Sequence, residues 1–181
     1  QKTAYEIYQC DWSSDVRSSD LSARPGAMAA VLGELTRPID EVCREASSAG
    51  LVVPANYNAV EQTVISGEVA GVEQAMALAK DAGAKRVVRL PVSGAFHSPL
   101  MEPAAAGLSE ALGAAAWRDL SWPVYSNVTA APITAAADAR ALLLRQLTSP
   151  VRWVEGIRAV DRKSTRLNSS HTDISRMPSS A

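Results

Sequence analysis

Between Gly26 and Pro91, four short apolar runs alternate with two stretches of helical period, and that order leaves few folds open. Gly26 to Leu32 (GAMAAVL) is apolar throughout and stops at Gly33, as a buried strand would. From Asp40 to Ser48, Val42, Cys43 and Ala46 recur at helical spacing among charges, and Gly50 closes the segment. Leu51 to Tyr57 is strand-like. Pro54 within it has no N–H to give to a ladder and assigns that strand to an edge or a bulge. Asn58 to Gln62 reads as a turn and Thr63 to Ser66 as the second arm of a hairpin. Val72, Met76 and Ala79 mark an amphipathic helix within Val69 to Ala82 that ends at Gly83, and Lys85 to Pro91 supplies a last strand. The order β-α-β-β-α-β predicts a ferredoxin-like unit, two helices on one side of a four-stranded antiparallel sheet.

The chain changes character at Val92-Ser93-Gly94-Ala95-Phe96-His97-Ser98-Pro99. Ser98-Pro99 is a good helix start, with Ser as N-cap, Pro at the first helical position and Glu102 in the first turn. His97 therefore sits where a small-residue loop meets a helix N-terminus. An imidazole there can accept a proton near neutral pH, but a histidine that merely hydrogen-bonds its loop suits these features better when they are taken alone. Beyond it the pattern predicts helices over Pro99 to Trp117, Asp138 to Gln146 and Val151 to Val160, with one short strand, Pro123 to Asn127. Leu100, Leu108 and Leu112 would share a face of the first of these helices. A lone strand cannot close a sheet, so its partners are expected elsewhere.

A formal charge of −1 favours neither nucleic acid nor an anionic membrane as main partner. No run approaches the roughly 18 apolar residues of a membrane helix. Cys10 and Cys43 lack ligand-like spacing, which argues against a disulfide framework or a metal and makes the cytoplasm the expected compartment. The two ends lack any sustained period. DWSSDVRSSDL at the front and STRLNSSH with ISRMPSSA at the back resemble translated sequencing-adapter sequence. Residues 1–21 and 162–181 are accordingly expected to be artefactual or disordered, and His171, Ser169 and Ser170 drop out of consideration.

Phosphate loops, dinucleotide fingerprints, metal-ligand spacings and the G-x-S-x-G elbow are all missing from the sequence. Ser93 and Ser98 are chain neighbours of His97 and poorly placed as its nucleophile, so the residues offer a candidate base without one.

Five blocks give a sharper reading: GAMAAVLG, VVPANYNAVEQTVISGE, AKRVVRLPVSGAFHSPLMEP, VYSNVTA and RQLTSPVRWVE. In that order, over Gly26 to about Val160, they resemble the malonyl-CoA:acyl carrier protein transacylase family. The resemblance implies an α/β fold, α+β over the residues given. A ferredoxin-like small subdomain (22–92) would be joined to a partial α/β-hydrolase-like acyltransferase layer (93–161). It implies an S-malonyltransferase of fatty acid biosynthesis with malonyl-CoA and acyl carrier protein as partners, and with no cofactor, metal, nucleic acid or membrane. A serine ester would carry the malonyl group in a ping-pong course. His97 would be the base, and the backbone carbonyl of Gln146 would orient its ring. Phe96 would fill the space an α-methyl group needs, and Asn58 would lie near the substrate pocket. Without the resemblance, Gln146 is an ordinary helix-end residue, and turn formation is the stronger reading of Asn58 in any case.

Departures from the family also count. The elbow serine, the carboxylate-binding arginine and the oxyanion loop belong upstream of Gly26 and are absent, so the chain as given is expected to be an inactive fragment. Val60-Glu61 stands where the family commonly has Pro-Gly. The alternatives are an acyltransferase domain of a modular polyketide synthase or, in another class, a non-catalytic ferredoxin-like binding module. An RNA-reading sheet needs exposed aromatics on its central strands, and Gly26 to Leu32 and Thr63 to Ser66 have none.

Overall fold

The computed structural model describes residues 26–92 and 94–169; residues 1–25, which include the front segment 1–21, the last residues 170–181 and Ser93 lie outside the described residues. The order is β1 (Gly26–Leu32), α1 (Ile39–Ala46), β2 (Val52–Ala59), β3 (Gln62–Glu68), α2 (Val69–Asp81) and β4 (Arg86–Arg89). A 3-10 turn (Pro99–Ala104) then leads to α3 (Ala105–Ala114), β5 (Val124–Tyr125), β6 (Pro132–Ile133), α4 (Ala136–Gln146) and α5 (Trp153–Ser169).

The first six elements form the ferredoxin-like unit, a four-stranded sheet in the order β2-β3-β1-β4 with every pairing antiparallel. Alternation along β1 turns Ala27, Ala29 and Val31 toward the two helices, where Val42, Cys43, Val52, Ile65 and Val72 complete the core. Ile39, Val42, Cys43 and Ala46 give α1 its buried stripe at helical spacing. At the start of α2, a Cβ on Gly71 would fall 2.1 Å from the Gly50 carbonyl oxygen, so only glycine lets the helix come this close to the turn that leads into β2. The same helix ends at Gly83 (φ 97°), with Gly83 N–H on the Lys80 carbonyl and Ala84 N–H on that of Ala79. That is the glycine stop the sequence predicts. As Pro54 predicts, β2 is an edge strand whose register shifts between Pro54 and Asn56. It shifts again between Tyr57 and Ala59, which leaves Asn58 as the extra residue of a bulge within the strand, not the first residue of the turn.

The sheet's other face is covered as well. Met28, Ala55 and Val64 form a second apolar cluster, closed by Ala30, Leu90, Val92 and Phe96. Burial on both faces explains why β1 is an uninterrupted apolar run.

After His97 three expectations need correction. The helix expected over Pro99–Trp117 is a 3-10 turn followed by the shorter α3, because Pro103 has no N–H for a regular first turn. Along α3, Leu108 and Leu112 are partly buried, and no residue of the helix is fully buried. Its end is met by the Trp117 indole N–H, which donates to the Leu112 carbonyl at 2.7 Å. The supposedly lone strand has its partner close by, since β5 pairs with β6 across a turn holding Ala130 at φ 53°. Pro132 masks that partner in the sequence, because a proline weakens a strand reading. Finally, the helix expected over Val151–Val160 is α5, which starts at Trp153 and runs on to Ser169, as no glycine or proline interrupts the chain between Gly156 and Ser169.

Candidate functional site

The loop after β4 is fixed from both sides. A Cβ on Gly26 would stand 2.5 Å from the Ala95 nitrogen, so the loop backbone lies directly on the start of β1. Phe96 packs into the second apolar cluster, and Ala95 and Ser98 are buried. Phe96 and His97 are the central residues of the turn, and His97 has φ 58°. Turns with a positive φ at the third position ordinarily take glycine or asparagine, and an imidazole-bearing residue there costs of order 1–2 kcal/mol. Such strain persists where neighbouring packing over-determines the geometry.

His97 is half-buried, and its Nδ1 lies 2.9 Å from the backbone carbonyl oxygen of Gln146, at the end of α4. A carbonyl can only accept, so Nδ1 carries the hydrogen, and in the neutral ring Nε2 keeps the lone pair. The Gln146 amide also approaches Nδ1, at 3.5 Å, but two donors cannot bond each other; that NH2 donates instead to the Ser149 carbonyl at 3.0 Å. The arrangement has the logic of an oriented general base: one ring nitrogen held by a fixed acceptor, the other free to take a proton.

What presents the Gln146 carbonyl is an interstrand bridge. Val151 N–H donates to the Ala55 carbonyl at 2.8 Å, and Tyr57 N–H donates to the Val151 carbonyl at 2.9 Å. The segment after α4 thus adds itself to the edge of β2, next to the bulge. Arg152 continues the clasp: its N–H donates to the Asn127 carbonyl at 2.9 Å and its guanidinium to that of Val128 at 3.4 Å. The ion pair with Glu155 raises the arginine's already high pKa further. Sequence reasoning missed Val151 and Arg152, and the Ser149-Pro150-Val151 run, an extended signal before a helix, could have pointed to the bridge.

The structure therefore brings His97 and Gln146 together, with Phe96 next to His97 in the chain and its ring on the sheet. Asn58 is half-buried at the β2 bulge and makes no hydrogen bond to His97 or Gln146 among the described residues. Ser98 is not a free hydroxyl, since its Oγ–H donates to the Ala95 carbonyl at 2.6 Å and the same oxygen caps Leu100 N–H. Cys43 is no alternative nucleophile, because burial, with a smaller push from Asp40, holds its thiol at a pKa of about 12. Tyr57 donates to Asp40 at 3.0 Å, and burial with that carboxylate raises its phenol above the ordinary range. A shallow groove at the far end of the sheet, beside Gly33–Ile39 and Val60–Thr63, includes none of the four predicted site residues. Among the described residues no group of three acidic, cysteine or histidine side chains could hold a metal, and no helix is long and apolar enough to cross a membrane.

Residues 16–173 match the family model described as acyl transferase domain. The malonyl CoA-acyl carrier protein transacylase of Bacillus subtilis is 44% identical over 152 residues, covering 83% of this chain and 48% of the relative. The acyl-carrier-protein S-malonyltransferase of Burkholderia pseudomallei superposes with a TM-score of 0.74 at 41% identity, over 77% of this chain and 46% of that one. A malonyl-transacylase solved in complex with a type II PKS acyl-carrier protein gives 0.73 at 37% identity, over 77% and 45%. The chain thus spans about half the length of the curated relatives it matches.

Proposed function

The chain belongs to the acyl transferase domain family, and from that premise we propose that it is part of an S-malonyltransferase moving malonyl groups from coenzyme A to an acyl carrier protein. The observation that carries the reading is the 2.9 Å contact between His97 Nδ1 and the Gln146 carbonyl, which leaves Nε2 as the acceptor. In the proposed reaction, Nε2 takes the proton of a serine hydroxyl supplied by the part of the protein upstream of Gly26. That oxygen attacks the thioester carbonyl. The tetrahedral adduct then expels the coenzyme A thiolate, which leaves with the proton from the imidazolium. A second half-reaction reverses the roles: the carrier's phosphopantetheine thiol gives its proton to Nε2, attacks the serine ester and departs with the malonyl group, and the serine recovers its proton.

Within this reading the small subdomain is 22–92 and the partial large one 93–161, and the compartment is the cytoplasm. Phe96 would limit the room beside the malonyl α-carbon, its position supported by the anchorage of the ring on Met28, Ala55 and Val64. Asn58 would serve the pocket's periphery from the β2 bulge.

The test is a chimera in which residues 26–161 replace the matching segment of the Bacillus subtilis relative. Malonyl transfer is expected, with His97→Ala lowering kcat by about 10²–10⁴-fold. Gln146→Ala should cost far less, since the orienting group is a backbone carbonyl. Full activity after His97→Ala would reject the assignment. In the same chimera Phe96→Ser should relax selection against methylmalonyl thioesters, and an unchanged selectivity ratio in a folded variant would remove Phe96 from the pocket.

A further inference from the structure

We propose that Ser98 is a positioning residue: its hydroxyl locks the Ala95–Ser98 turn, and that lock keeps the imidazole of His97 on the Gln146 carbonyl. The inference rests on the reading of His97 as the base, but its structural content does not depend on catalysis.

Three observations converge on this hydroxyl. Ser98 is fully buried, and both capacities of its oxygen are used, donating to Ala95 O at 2.6 Å and accepting from Leu100 N at 3.3 Å. Ala95 is held in turn by the backbone of β1 at Gly26, so the bond to Ala95 ties the start of the 3-10 turn to the sheet. Between the two anchored ends stands His97 at φ 58°, a conformation that a side chain larger than glycine leaves when nothing restrains it. A rotation of that residue into the ordinary region would redirect its Cβ and take the ring away from a carbonyl that belongs to a distant part of the chain.

Removing the hydroxyl strips the buried Ala95 carbonyl, and the part-buried Leu100 N–H, of their partner, which gives the turn a reason to rearrange. Ser98→Ala would therefore act on His97 at a distance, without touching the ring. A serine serving only as a helix cap would weaken the 3-10 turn and leave the imidazole where it is.

The experiment uses the full 181-residue chain, labelled with nitrogen-15, and reads the imidazole nitrogens by long-range proton–nitrogen correlation. His97→Ala identifies the His97 signals against those of His171. The intact chain should show His97 as the Nδ1–H tautomer with a slowly exchanging ring proton. Ser98→Ala should give mixed tautomers and exchange at least about tenfold faster, with the amide spectrum of the sheet retained. Should Ser98→Ala fail to fold, Ser98→Cys decides, because the thiol fills the site with a somewhat larger atom and supplies only a weak hydrogen bond; an accelerated exchange is expected there too. A folded Ser98→Ala or Ser98→Cys chain with unchanged tautomer and exchange would overturn the proposal, as would an Nε2–H tautomer in the intact chain. The ring spectra need no substrate. An inactive chimera with the Nδ1–H signature intact would sink malonyl transfer and leave the role of Ser98 standing.

Discussion

The ferredoxin-like unit and the stretch that follows His97 are built on different terms. In the first, thirteen buried residues share one core between sheet and helices, and Ile65, Val42, Val52 and Val72 are almost wholly withdrawn from solvent. In the second, Met101, Ala104 and Val128 are buried, but α3 has no fully buried residue, α4 has Ala139 alone, and Trp122, Trp153, Leu143 and Ile157 stand about half or more exposed. Yet the candidate site takes one group from each: the imidazole from the loop after β4, the orienting carbonyl from the end of α4. Burying side chains of this size yields about 1.5–3 kcal/mol each, so the small unit supplies the rigid reference and the second region is held against it by a few directed bonds. Precision at the site then depends less on the core of the second region than on the Val151 bridge and the His97 contact.

The strongest way to break this comparison is to attack the reference. Ile65→Ala, at a position with no exposed surface in the central strand β3, should cost about 3–4 kcal/mol in denaturant unfolding of the chain. Leu143→Ala, half-exposed on α4, should stay within about 0.5 kcal/mol. Similar losses for both would mean that the second region has a core of its own and that the contrast is false.

The same contrast governs what the sequence made legible. The order of the six elements, the edge position of β2 and the glycine stop of α2 could all be read, because each follows from side-chain period or from a local backbone constraint: alternating burial, the missing N–H of Pro54, the positive φ of Gly83. The two-stranded pairing of β5 with β6, the 3-10 start at Pro99 and the continuation of α5 to Ser169 were not legible. Where few residues are buried, apolar period carries little information about what packs where, and α3, with no fully buried residue, is the instance. The site divides in the same way. Ser98 as a cap was readable from Ser-Pro, but the left-handed backbone of His97 was not, since nothing in the local composition announces a positive φ at histidine. The proximity of His97 to Gln146 joins residues forty-nine positions apart and came from family resemblance alone.

A second experiment sharpens the comparison at the junction. Val151→Pro removes the N–H that donates to the Ala55 carbonyl and should loosen the clasp by about 1–2 kcal/mol. The useful readout is hydrogen exchange. Protection of the Tyr57 amide, whose acceptor is the Val151 carbonyl, should fall markedly while the amides of Val64 and Ile65 keep theirs. Loss of protection throughout the sheet would show that the second region is needed for the small unit's own stability. Unchanged protection at Tyr57 would show that the bridge holds nothing.

The smallest effect expected tests whether charge has any part in the contrast. Arg89 on β4 pairs with Glu73 on α2 at 3.0 Å, joining sheet to helix inside the well-packed unit, but both side chains are about half-exposed. In that setting the Coulomb gain is screened, and ordering two long side chains offsets much of it. Arg89→Ala should therefore shift unfolding by no more than about 0.5 kcal/mol, and adding salt should shrink even that. A loss several times larger, surviving high salt, would mean that the arginine's stem packs on the helix as well as its charge. The firmness of the small unit would then rest partly on its rim, and the division between a buried core and a surface of directed bonds would have to be redrawn.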